Sequence, residues 1–166
     1  MLTVPEIRAT FREYAPAQAS IAVIREEIAN LERIKADLEN EEYDGVLSRG
    51  GDGGGTKDFG VADPTPAQAQ RFEGGADRNA VSEIIDEIIV LRKRLAEHLR
   101  LIRTCDEWLS RFPQETACLL RARYIEKKTL MMSITATFAQ TNFDFSDDTA
   151  KKTLDRALAE ISRRWS

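Results

Sequence analysis

The chain has 166 residues, 42% of them hydrophobic and 31% charged, with a formal net charge of −4, a composition that suits one compact domain or a small domain plus an extended element in water. No apolar run approaches the ~20 residues that a membrane-crossing helix needs, and Met1-Leu2-Thr3-Val4-Pro5-Glu6 lacks the basic start and apolar core of a signal peptide. A membrane role is therefore excluded and a cytoplasmic location expected.

Thr3-Val4-Pro5-Glu6 reads as a capping box, with Thr3 as the N-cap, Glu6 three residues on, and Pro5 in the first turn, where a missing N–H is harmless. Pro16 is expected to kink or restart the helix that begins there. Beyond it Ile21, Ile24, Ile28, Leu31, Ile34 and Leu38 recur in steps of three and four, which predicts a narrow apolar seam on a helix ending near residue 44. All nine glycines lie between Gly45 and Gly75. Residues 45–78 are accordingly expected to be a glycine-rich flexible linker, holding a short helix near 66–73 that Thr65-Pro66-Ala67-Gln68 starts and Gly74-Gly75 ends. Gly50-Gly51-Asp52-Gly53-Gly54-Gly55-Thr56-Lys57 is not a phosphate-binding loop, because Thr precedes Lys and no strand precedes either.

Residues 79–112 predict a second long helix, with Val81, Ile84, Ile88, Leu91, Leu95, Ile102, Cys105 and Leu109 on one seam. At 1.5 Å per residue it is roughly 50 Å long, close to its N-terminal counterpart, so the two are expected to fold back as a long antiparallel, coiled-coil-like hairpin. Ile85, Ile89 and Leu99 widen the apolar stripe beyond what two helices cover, which predicts homo-oligomerisation through the long helices. His98, the only histidine, falls on this seam and is read as a packed side chain, since no further ligands lie beside it. Cys105 and Cys118 are read as reduced thiols.

No catalytic constellation can be assembled from these residues. The single histidine has no nucleophile on a glycine turn nearby, and the paired acids Glu26-Glu27, Glu41-Glu42 and Asp147-Asp148 sit where solvated faces or a helix N-terminus place them. The chain is not read as an enzyme, and no cofactor or metal is expected.

The net charge hides a gradient. Residues 1–44 carry five basic and ten acidic side chains, a balance of −5, whereas residues 113–166 carry nine and seven, a balance of +2. In this last stretch, Ala117, Leu120, Ala122, Tyr124 and Ile125 belong to one amphipathic segment, and Leu130, Met131, Ile134 and Phe138 to a second. A third follows the N-cap Ser146, with Ala150, Leu154, Ala157, Leu158, Ile161 and Trp165 on one face and Lys151, Lys152 and Arg156 on the other. Three short helices ending in a basic one predict a small helix-turn-helix domain over 113–166, in an all-α chain.

Leu120-Arg121-Ala122-Arg123-Tyr124-Ile125-Glu126, followed by Ser146-x-x-Thr149 and Arg156-Ala157-Leu158-Ala159-Glu160-Ile161, resembles the C-terminal half of phage transcriptional regulators of the ArpU/RinA type, which are similar to region 4 of sigma factors. Such proteins place a glycine and an aromatic residue where this chain has Lys127-Lys128-Thr129-Leu130, and its turn through Asn142, Phe143, Asp144 and Phe145 is longer. The resemblance implies a phage- or prophage-encoded regulator in the bacterial host cytoplasm that binds promoter double-stranded DNA through helix 146–163, with RNA polymerase as a possible partner. On the exposed face of that helix, Asp148, Lys151, Lys152, Asp155 and Arg156 are the candidates for base edges. Ser146 and Thr149 are expected to cap the helix or meet phosphate, and Lys127, Lys128, Arg163 and Arg164 to hold further phosphates. Two other readings remain open: a DNA-packaging protein like a small terminase subunit, and a helical scaffold or interaction protein whose C-terminal helices bind protein; Lys151, Lys152 and Arg156 can also be read as a solvated face that pairs with Asp147, Asp148 and Asp155 within the helix.

Overall fold

The computed structural model describes residues 2–47 and 65–165, and every regular element among them is helical. Helix α1 spans Val4–Leu47, α2 Thr65–Ser110, α3 Gln114–Leu120, α4 Leu130–Thr141 and α5 Asp147–Arg164, with a π-helical turn over Arg121–Ile125 continuing α3. The all-α class is as the sequence predicts. The chain divides into two compact units, Met1–Val23 with Leu95–Ser166, and Ile24–Arg94.

α1 starts where its capping box predicts. The Glu6 carboxylate accepts the Thr3 N–H at 2.7 Å and the Thr3 hydroxyl at 2.8 Å, and these bonds, the backbone one first, hold its pKa below the ordinary carboxylate value. Pro16 does not restart the helix. Its missing N–H and its ring disfavour an interior position by ~3 kcal/mol. Ile7, Phe11 and Tyr14 before it and Ala17 and Ile21 after it are all buried, however, and a break would rotate one set out of phase with the other.

α2 also runs unbroken, from Thr65 to Ser110, so the expected short helix near 66–73 and the helix beginning near Asn79 are one element. Glycine weakens a helix by about 1 kcal/mol relative to alanine but keeps its N–H, so Gly74-Gly75 disfavours continuation without blocking it. Residues 48–64, on which most of the linker reading and the phosphate-loop question fall, lie outside the described residues.

In the unit Ile24–Arg94, Ile24, Ile28, Ile88 and Leu91 are buried and Arg92 donates to Glu32 at 2.6 Å. One seam assignment is corrected. Ile34 is 48% exposed and Lys35 is half-buried in its stead, its ammonium paired with Glu39 at 3.2 Å. Alternating steps of three and four from Ile28 and Leu31 lead to position 35, and the lysine stem covers the seam while its head reaches water. Ile85, Ile89 and Val90 stay exposed.

The other unit has one core drawn from both ends of the chain. Ile7, Phe11 and Tyr14 of α1 and Cys105, Trp108 and Leu109 of α2 pack with Leu119 and Leu120 of α3, Phe145, and Leu154, Leu158 and Ile161 of α5. The Phe11 ring meets Trp108 edge-on at 5.4 Å and stacks with Tyr124 at 6.3 Å, while Trp165 meets Trp108 at 6.2 Å. The Ser162 hydroxyl donates to Leu2 O at 2.6 Å. Residues 113–166 are thus not a separately packed body; the first turns of α1 close their core.

Both cysteines are free thiols. Burial, with a smaller effect of the Asp106 charge, pushes Cys105 up to about 12. Because the folded-state pKa is raised, the associated stabilisation is complete below the unfolded value of ~8.5 and is lost as pH rises toward the folded one. Iodoacetamide at mildly alkaline pH is expected to label Cys118 in the native protein and to reach Cys105 only on unfolding, read by mass spectrometry of the alkylated peptides.

Candidate nucleic-acid interface

α5 is positioned by its cap and its apolar face. Ser146 Oγ accepts the Thr149 N–H at 3.3 Å and shares a 2.8 Å hydrogen bond with the Thr149 hydroxyl, and Asp147 and Asp148 complement the positive helix end. Ala150, Leu154, Ala157, Leu158 and Ile161 are buried, so the helix cannot rotate without exposing them. Asp148, Thr149, Lys151, Lys152, Asp155 and Arg156 are all on the solvent side. Among the described residues, Lys151, Lys152 and Arg156 form no ion pair with Asp147, Asp148 or Asp155. Asp155 faces Arg8 of α1 instead, at 3.7 Å.

α4 is held by Thr129, whose hydroxyl accepts the Met132 N–H at 3.3 Å, and by Asn142, which takes the left-handed conformation at its C-terminus with φ 58°. The following turn is anchored by buried Phe145, against which exposed Phe143 rests at 4.6 Å. This turn is therefore fixed by an aromatic anchor rather than left loose.

The remaining predicted contacts are not equivalent. Lys127 is exposed, but Lys128 is half-buried and paired with Glu126 at 2.6 Å; Arg163 is exposed, and Arg164 is paired with Glu160 at 2.8 Å. Lys127 adopts φ 56°, a left-handed conformation that is strained by on the order of 1 kcal/mol for a residue with a Cβ. That turn lets the Lys128 N–H reach Ala122 O at 3.0 Å, and Arg123 donates to Lys128 O at 2.7 Å across it. The π-helical bond Glu126 N–H to Arg121 O, at 3.0 Å, precedes it.

Two basic residues join this surface that segment-wise charge counting assigned to the acidic end. Arg8 lies over the Tyr124 ring at 5.8 Å, and Arg12 lines a recess of about 390 Å³ with Arg123, Tyr124 and Lys127. Their i,i+4 spacing, beside the apolar Ile7-Phe11-Tyr14 face, was the available signal. His98 is half-buried on α2, and among the described residues no group of three or more His, Cys, Asp or Glu could hold a metal ion. Among the described residues no helix is long and apolar enough to cross a membrane. Compared with known proteins, the chain matches no family model, no curated protein and no solved structure.

Proposed function

We propose that this chain is a sequence-specific DNA-binding transcriptional regulator, phage or prophage encoded. In this reading α4 and α5 act as a helix-turn-helix and α1 with α2 as an oligomerising helical hairpin. The observation that carries it is the set Lys151, Lys152 and Arg156: exposed, free of ion pairs among the described residues, and carried on a capped helix whose opposite face is locked in the core. Cations left without carboxylate partners on a rigid helix are available to base edges and phosphates at no loss of internal pairing. The exposed Ile85, Ile89 and Val90 supply the apolar surface for pairing of copies.

Fluorescence anisotropy of a labelled duplex over a range of salt tests this reading. The wild type is expected to bind with an affinity that falls steeply in salt, by about 0.9 in log-log slope per phosphate contact. The Lys151→Ala, Lys152→Ala, Arg156→Ala variant is expected to lose about 1–3 kcal/mol for each base contact removed. If the wild type binds no duplex even at low salt, α5 is a protein-docking helix and the proposal fails.

A further inference from the structure

We infer that the recess between α1 and the π-helical turn is a phosphate-binding site, in which Arg12, Arg123 and Lys127 take the oxyanion beside the ring of Tyr124. Three cations and no carboxylate line it. Glu126, the neighbour of Lys127 in the chain, is engaged with Lys128 at 2.6 Å, and Asp155 faces Arg8 at 3.7 Å. Neither Arg12 nor Lys127 has an ion-pair partner among the described residues, and Arg123 uses one guanidinium nitrogen on Lys128 O, leaving its other donors to a ligand. Like charges gathered in one recess repel, and an oxyanion both relieves that repulsion and accepts charge-assisted hydrogen bonds from guanidinium and ammonium groups.

The backbone supplies a second, independent argument. The chain holds Lys127 at φ 56°, where glycine fits without strain. A strained position that keeps a long cationic side chain at a basic recess points to use of that side chain, since the turn itself would be better made by glycine. With about 390 Å³ the recess has room for more than a bare oxyanion, so the phosphate can be an ester.

Two sources share this chemistry, a DNA backbone phosphodiester and a free or monoester phosphate. The Arg8–Asp155 pair ties this corner of α1 to the exposed face of α5, which makes the backbone of a bound duplex the expected source. That assignment rests on the DNA-binding reading above.

The test compares the full-length wild type with Arg12→Ala and Lys127→Gly. Melting temperature is measured in inorganic phosphate against chloride of equal ionic strength, and duplex anisotropy against salt. Phosphate is expected to raise the wild-type melting temperature, and both variants to lose that shift. Each variant is also expected to flatten the log-log salt slope by about 1 while binding all duplex sequences more weakly to a similar degree. Lys127→Gly, which relieves the left-handed strain, should melt no lower than wild type in chloride, so a loss of phosphate response in it is not unfolding. If both variants keep the wild-type phosphate shift and salt slope, the site is overturned, whatever substitution on α5 does to DNA binding. If no duplex binds but the phosphate shift is present and needs both side chains, the site stands as one for free or monoester phosphate and the regulator reading alone fails.

Discussion

Residues 113–166 expressed alone are expected to remain largely unfolded, with low helicity by far-ultraviolet circular dichroism and no cooperative thermal transition, while the full chain melts cooperatively. Leu119, Leu120, Leu158 and Ile161 are fully buried in the intact protein, and much of what covers them comes from Ile7, Phe11, Cys105, Trp108 and Leu109, all absent from the fragment. A piece of that size buries a marginal fraction of its surface even when its core is complete. Its α3, with 7 residues, is shorter than the ~12–15 residues below which an isolated helix is marginal in water, and α4, with 12, only reaches that range. Deleting the first turns of α1 from the full chain should act in the same direction, because it removes Ile7 and Phe11 and leaves the Ser162 hydroxyl without Leu2 O. A fragment that is fully helical and melts near the temperature of the whole chain would sink the shared core.

The same contacts explain how far the sequence can be read. Local signals were legible: the Thr3–Glu6 box, the Ser146 cap and the apolar face Ala150, Leu154, Ala157, Leu158, Ile161 each depend on residues within a few turns of one another. Long-range closure was not. Phe11 and Tyr124 are more than a hundred positions apart, and no periodicity in either helix encodes that they stack. Charge summed by segment also averages over faces. It placed Arg8 and Arg12 in an acidic end, although the fold sets Arg8 over Tyr124 and Arg12 beside Tyr124 and Lys127. Pro16 and Gly74-Gly75 show the converse: a propensity of one to three kcal/mol read as punctuation was outweighed or tolerated within a long helix. The candidate site on α5 was readable because it is a property of one helix; the recess was not, because α1 and the distant stretch from Arg123 to Lys127 build it together.

Trp108→Ala is expected to destabilise the chain by about 3–5 kcal/mol, and Trp108→Phe by far less. The indole is 1% exposed, bracketed by the Phe11 ring at 5.4 Å and the Trp165 ring at 6.2 Å. Truncation to alanine removes that volume and both aromatic contacts at the point where α1, α2 and the end of α5 meet, and a rigid junction of three helices can collapse only partly around the void. Phenylalanine keeps a ring between the two neighbours. It also removes the Nε1–H, which is buried with no acceptor among the described residues, so one unfavourable term disappears as some packing is lost. In a chain of this length each kcal/mol corresponds to a few degrees in melting temperature, so the two variants should be well separated in a thermal scan. The alanine variant should also weaken duplex binding, because α5 loses the support behind Trp165, whereas the phenylalanine variant should bind as wild type does. If both substitutions cost the same, the indole N–H holds a partner that matters more than the volume of the ring, and the junction is polar in a way that its surroundings of Phe11, Trp165 and Leu109 do not account for.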